Sequence, residues 1–224
     1  QLYNTVDTII VGKYVGTPAL AAVGSTGNLT NLIVNFFVGL SSGATVVIAQ
    51  FYGANEHKKV FKAVHSAFAM SIICGILMMI FGIFFSKQCL ELIGVPNDII
   101  NDSSLYMKLY FFSMLPGVIY NIGSGILRAV GDSKTPLYYL IVCSVINVLF
   151  DLFLVANMKM GIAGAAIATV IAQFVCAILV TVKLMRSKES YQLKLKEIKI
   201  DLMILKRIVK IGIPAGIQST MYSI

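Results

Sequence analysis

Residues 137–155 read LYYLIVCSVINVLFDLFLV, nineteen residues whose single charge is Asp151. A helix needs roughly 20 predominantly apolar residues to cross the hydrocarbon core of a bilayer. The stretch therefore predicts a membrane span, and it raises a question about its carboxylate. An ionised side chain inside a span is costly and marks a functional position unless it escapes to headgroup water. The first residues, QLYNTVDTIIVG (1–12), pose the same question at Asp7.

The rest of the chain repeats the pattern. Hydrophobic residues make up 58% of the 224 and charged residues 12%, against about a quarter charged in an average soluble domain. Such a chain cannot cover itself with polar groups in water, so an all-α integral membrane protein is expected. Four further complete spans are predicted, Leu29–Gln50, Val64–Phe85, Leu105–Leu127 and Ile162–Leu184. Partial spans flank them at 1–16 and 208–224, and both ends read as cut within an apolar run. Short connectors are expected at GTPALAAVG, YGANEHKK, GVPND, VGDSKTP and NMKMG. RSKESYQLKLKEIKIDLMILKR, with spaced Leu and Ile among its charges, reads as an amphipathic segment on the membrane face.

Lys and Arg fix the direction. Fourteen of the eighteen basic residues fall in one set of alternate connectors, from Lys58 to Lys210, and Lys13, Lys87, Lys108 and Lys159 fall in the other. The richer set is cytoplasmic, giving a multi-pass protein of the cell (plasma or inner) membrane. The net charge of +8 is thus a topology signal, and the basic residues, spread over three loops, do not indicate nucleic-acid binding. The four cysteines are far apart with no CxxC, so neither a disulfide framework nor a bound metal cofactor is expected. His57 and His65 flank a basic turn and read as interfacial. Pro116-Gly117 predicts a kink in its span. Gly164, Ala168 and Ala172 recur every four residues and predict a small-residue packing face.

Asn147 and Asp151 are four apart and share one helix face. Thr169 lies on the next span. Asp7 stands three residues after Asn4 on the first. If these helices adjoin, two carboxylates, an amide oxygen and a hydroxyl converge. Hard oxygen donors suit sodium, and two close carboxylates in low dielectric also hold a proton. Asn31, Asn35 and Gln50 on the second span, with Tyr120 and Asn121 on the fourth, are candidates to line a substrate path, and interhelical hydrogen bonding suits them equally well.

Six strings carry a family resemblance. LYNTVDTIIVG followed by ALAAVG resembles the first helix and outer loop of MATE (multidrug and toxic compound extrusion) transporters. GATVVIAQFYGA, RAVGDSKTP, GIAGAAIATVIAQ and KIGIPAGIQ resemble the end of their second helix, the loop between helices four and five, the sixth helix and the start of the seventh. The resemblance implies a parent of twelve helices in two lobes. This chain would be a six-helix N-terminal lobe over 1–186, a cytoplasmic inter-lobe linker over 187–207 and the start of helix seven over 208–224. It implies a cation-coupled antiporter, not an enzyme, that expels organic cations and amphipathic drugs in exchange for sodium or protons. The positions matching the family's cation site are Asp7, Asn147, Asp151 and Thr169. The implied partners are membrane lipid and a C-terminal lobe of the same protein.

Two other classes fit the residues less well. A lipid-linked sugar flippase of the same wider superfamily would favour cationic groups inside its spans, and almost none occur away from the span ends. An intramembrane aspartyl protease needs GxGD, and Ala129-Val130-Gly131-Asp132 lacks the first glycine.

Overall fold

The computed structural model describes residues 2–221, with backbone alone for 2–7, 17, 18, 25, 28 and 29. Among the described residues eight α-helices run in the order α1 (Leu2–Tyr14), α2 (Thr17–Gly53), α3 (His57–Leu92), α4 (Ile100–Phe112), α5 (Met114–Ala129), α6 (Lys134–Asp151), α7 (Gly161–Arg186) and α8 (Leu202–Met221). A π-helical segment, Leu152–Asn157, continues α6, and a 3-10 turn, Leu195–Glu197, lies between α7 and α8. No strand occurs among the described residues.

Four of the five expected complete spans are found as single helices. Thr30–Gly53, His57–Leu92, Lys134–Asn157 and Gly161–Arg186 are each long and apolar enough to cross a membrane, and the α4–α5 pair makes a fifth if it counts as one bent span. Their outward residues stay apolar. Leu77, Phe84 and Leu149 are each 60% exposed or more, which suits contact with lipid chains rather than water. The chain is a multi-pass membrane protein.

Two local expectations need correction. GTPALAAVG is not a connector. Only Val15 and Gly16 separate α1 from α2, Gly16 takes a left-handed φ of 110°, and helix resumes at Thr17. Pro18 falls in the first turn, where its missing N–H breaks no helical bond, and the alanines that follow favour helix. The kink is not at Pro116-Gly117 but at Ser113, where α4 and α5 meet at a 41° bend. A proline ring clashes with the carbonyl four residues earlier, here that of Phe112, so the break falls one turn ahead of the proline. The segment after α7 is fastened to its own unit at Leu193. Leu193 is 1% exposed and its N–H donates to the Leu184 carbonyl at 3.1 Å.

The chain forms two compact units. The first comprises residues 1–30, 76–115 and 140–175, and the second 31–75, 116–139 and 176–224. In the first, Val11, Leu90, Met107, Phe111, Ala165 and Ala168 form the buried core. The ring of Phe111 lies directly over Gly82, in space any side chain at 82 would fill. In the second, Val47, Ile48, Val64, Ile126, Leu184 and Ile208 are buried. There α2 and α8 meet backbone to backbone, Gly39 facing Gly216 and Gly43 facing Gly212. A Cβ at Gly43 would lie 2.5 Å from the Ile208 carbonyl oxygen. Small residues at four-residue spacing on both helices permit this approach.

Candidate functional site

The site is built at the C-terminal end of α6. Helical spacing turns Asn147 and Asp151 to one face, and both are fully buried. Immediately after Asp151 the backbone widens into the π segment, closed by the Met158 N–H on the Phe153 carbonyl at 3.0 Å. Such widened turns are rare and occur frequently at functional sites. The chain then reverses through Lys159 and Gly161, both at positive φ (54° and 61°), into α7. Gly164 brings α7 close, since a Cβ there would lie 3.2 Å from the Leu154 carbonyl carbon and from Val155. Ala168 and Ala172 on the same face are buried, so the small-residue face is present.

That approach sets Thr169 beside α6. The Asn147 amide nitrogen lies 3.5 Å from the Thr169 hydroxyl, a long contact, and Thr169 is 3% exposed. The Asn147 Oδ1 is buried with no hydrogen-bond partner among the described residues. A buried acceptor left that way costs free energy, so it is a position a cation or a water would satisfy. Three of the four predicted donors, Asn147, Asp151 and Thr169, therefore share one buried locality of the first unit. Asp7 belongs to α1, which packs against the π segment. Its side chain lies outside the described residues.

The five candidates for a substrate path fall in the second unit. Asn31 and Asn35, one turn apart on α2, are half-buried. The Asn121 amide donates to the Gly117 carbonyl at 3.0 Å, and the Asn121 carbonyl accepts from Ser41 at 2.8 Å, joining α2 to α5. Tyr120 donates to the Pro136 carbonyl at 2.9 Å. The Gln50 oxygen accepts from the Arg207 guanidinium at 2.5 Å, joining α2 to α8.

Sequence reasoning missed a clasp in this unit. His65 is 1% exposed rather than interfacial. Its Nε2 accepts from the Lys194 N–H at 3.1 Å, so the ring proton sits on Nδ1 and is donated to the Phe61 carbonyl at 2.8 Å. Ser66 accepts from the Asp201 N–H at 2.9 Å. Asp201 caps α8 through the Met203 and Ile204 N–H groups. The Ile204 amide, with Lys62 beyond it at 3.4 Å, holds the Asp201 carboxyl below its ordinary value. Asp132 caps α6 in the same way, taking the Thr135 amide at 3.0 Å and hydroxyl at 2.7 Å. Partial burial pushes the Asp132 carboxyl up, but those bonds and the charge of Lys183 outweigh it and hold the group low. The turn expected at Gly131-Asp132 is present, with Gly131 at φ 92°.

A polytopic helical protein that buries a carboxylate, an amide and a hydroxyl together between two spans has the make-up of a membrane transporter. Residues 1–153 match the MatE family model, and the chain belongs to that family. It is 32% identical to the probable multidrug resistance protein YoeA of Bacillus subtilis over 98% of this chain and 49% of that protein. It superposes on the inward-facing conformation of a multidrug resistance MATE family transporter of the MOP superfamily with a TM-score of 0.91, at 25% identity over 99% of this chain and 50% of the other. An outward-facing structure of such a transporter gives 0.89 at 24% identity over 97% and 48%, a likeness of fold alone. The chain spans about half the length of the relatives it matches.

Proposed function

We propose that the protein containing this chain is a cation-coupled antiporter that exports cationic or amphipathic compounds by alternating access, with this chain as its N-terminal lobe, the linker over 187–207 and the start of helix seven. The observation that carries the reading is the burial of Asn147, Asp151 and Thr169 together, with an amide oxygen that no described residue satisfies. A cation entering this locality offsets the carboxylate and fills the amide's vacancy. Asp7, on the helix packed against the π segment, supplies a second carboxylate. Coupling requires that the ion bind one conformation better than the other, since equal affinity drives nothing. Relatives with inward-facing and outward-facing structures share the fold of this half, which suits a mechanism that alternates between those states. The multidrug designation of the relatives supports the substrate class.

The test follows a cationic dye leaving vesicles that hold the full-length protein, under a sodium gradient and then a pH gradient, for wild type and Asp151→Asn. Sodium-driven efflux lost in the variant assigns the oxygen cluster to the cation. Proton-driven efflux lost in the variant makes Asp151 a protonation switch. Full transport by the variant under both gradients overturns the reading.

A further inference from the structure

Beside the His65 clasp lies a cavity of about 440 Å³ between the start of α3 and the segment that leads into α8. Lys62, Lys196 and Lys199 line it, together with His65, Phe61 and Ile200. Two carboxylates also line it, but each is engaged. Glu197 pairs with Lys194 at 3.2 Å, and Asp201 pairs with Lys62 at 3.4 Å while capping α8. No ion pair is formed by Lys196 or Lys199 among the described residues. The cavity thus presents two uncompensated ammonium groups over an apolar wall.

Its surroundings point to what fills it. The cavity lies in the lysine-rich connectors that positive-inside bias assigns to the cytoplasmic face. Leu202 and Met203, next to it in sequence, are 76% and 83% exposed. Apolar side chains offered beside lysines match the boundary where acyl chains meet charged headgroups, and that leaflet is the anionic one. We infer that this cavity binds the phosphate headgroup of an anionic phospholipid, with Lys196 and Lys199 as its cationic contacts and Leu202 and Met203 against the chains. The ligand would tether the segment between α7 and α8 to the membrane. The site is separate from the Asp151 cluster, so it stands or falls independently of the transport reading.

The test is native mass spectrometry of the full-length protein in detergent, with phosphatidylglycerol and phosphatidylcholine offered in turn. Wild type is expected to retain phosphatidylglycerol in preference. The pair Lys196→Gln and Lys199→Gln should lower that retention about tenfold or more, since each lysine near an anionic surface contributes measurably. Lys196→Arg with Lys199→Arg should keep it. Lys188→Gln with Lys206→Gln, which removes the same charge elsewhere, should also keep it. Equal losses in the two neutralised pairs would mean diffuse charge and overturn the site. Equal retention of the two lipids would do the same. Displacement of the lipid by millimolar inorganic phosphate would assign the cavity to a soluble phosphate compound instead and overturn the lipid reading.

Discussion

Asp151 and Asp201 are the same side chain put to opposite uses. Asp201 sits at a helix N-terminus where two amides and a lysine meet it, and its charge is held by ordinary hydrogen bonds. Asp151 sits inside a continuous helix, fully buried, where α6 passes into its π continuation. A helix N-terminus stabilises a carboxylate, whereas burial inside a span penalises its charge. The first placement therefore strengthens the fold, whereas the second costs it. In the first unit, the Asn147 amide oxygen beside Asp151 is buried with no partner among the described residues. In the second, polar groups fasten elements, with Ser41 on α5, His65 on the linker and Gln50 on α8.

The sharpest way to break this contrast is Asp151→Asn. Coupled efflux should fall at least about a hundredfold, equivalent to about 2.7 kcal/mol in the barrier, while the thermal midpoint holds or rises because a buried charge is removed. A large drop in midpoint would make Asp151 structural and erase the distinction. Next in size is Gly39→Val in the second unit. Gly39 faces Gly216 backbone to backbone, and overpacking of that kind costs about 1–3 kcal/mol. Here the loss should appear in thermal stability and folded yield. Normal stability would mean that α2 and α8 tolerate separation.

The five spans were legible because the bilayer imposes a length and a polarity that no side-chain detail overrides. The Asn147–Asp151 pair was legible because helical spacing is local. Thr169 was nameable, but its approach depends on Gly164 closing on the π segment, and an inserted π turn leaves no mark in apolar periodicity. The onset of α2 at Thr17 was hidden by Gly16 and Pro18, which read as loop yet stand at a helix start. Gly39–Gly43 and Gly212–Gly216 each show the four-residue small pattern, but nothing local says that they pair. The clasp of His65 on Lys194 joins positions 129 apart, and no spacing rule reaches that far.

A third prediction concerns the caps. Asp132→Ala should cost about 1 kcal/mol, the usual worth of an N-cap carboxylate, with transport otherwise intact. The sign with pH follows from the carboxyl being held low. Its contribution is fully present above the unfolded value of about 3.9, and is lost as pH falls through the still lower folded value. Unfolding midpoints measured from neutral pH downward should therefore converge for wild type and Asp132→Ala in acid. A gap that persists at the lowest pH would mean that the side chain acts by packing instead.

The smallest expected effect is the most discriminating for the second unit. Arg207 reaches Gln50 and also lies over the Phe51 ring at 5.2 Å. Both partners of that hydrogen bond are exposed. Arg207→Met should lower stability by only about 0.5 kcal/mol, as exposed cation–π contacts do. Gln50 was also a candidate for the substrate path, so a double-mutant cycle separates its two roles. If Gln50 serves only as a fastening, Gln50→Ala adds nothing to Arg207→Met in either stability or efflux. If Gln50→Ala reduces efflux in the Arg207→Met background as strongly as in wild type, the side chain meets the transported compound. The second unit would then hold a functional group of its own, and Gln50 would stand with Asp151 rather than with Asp201.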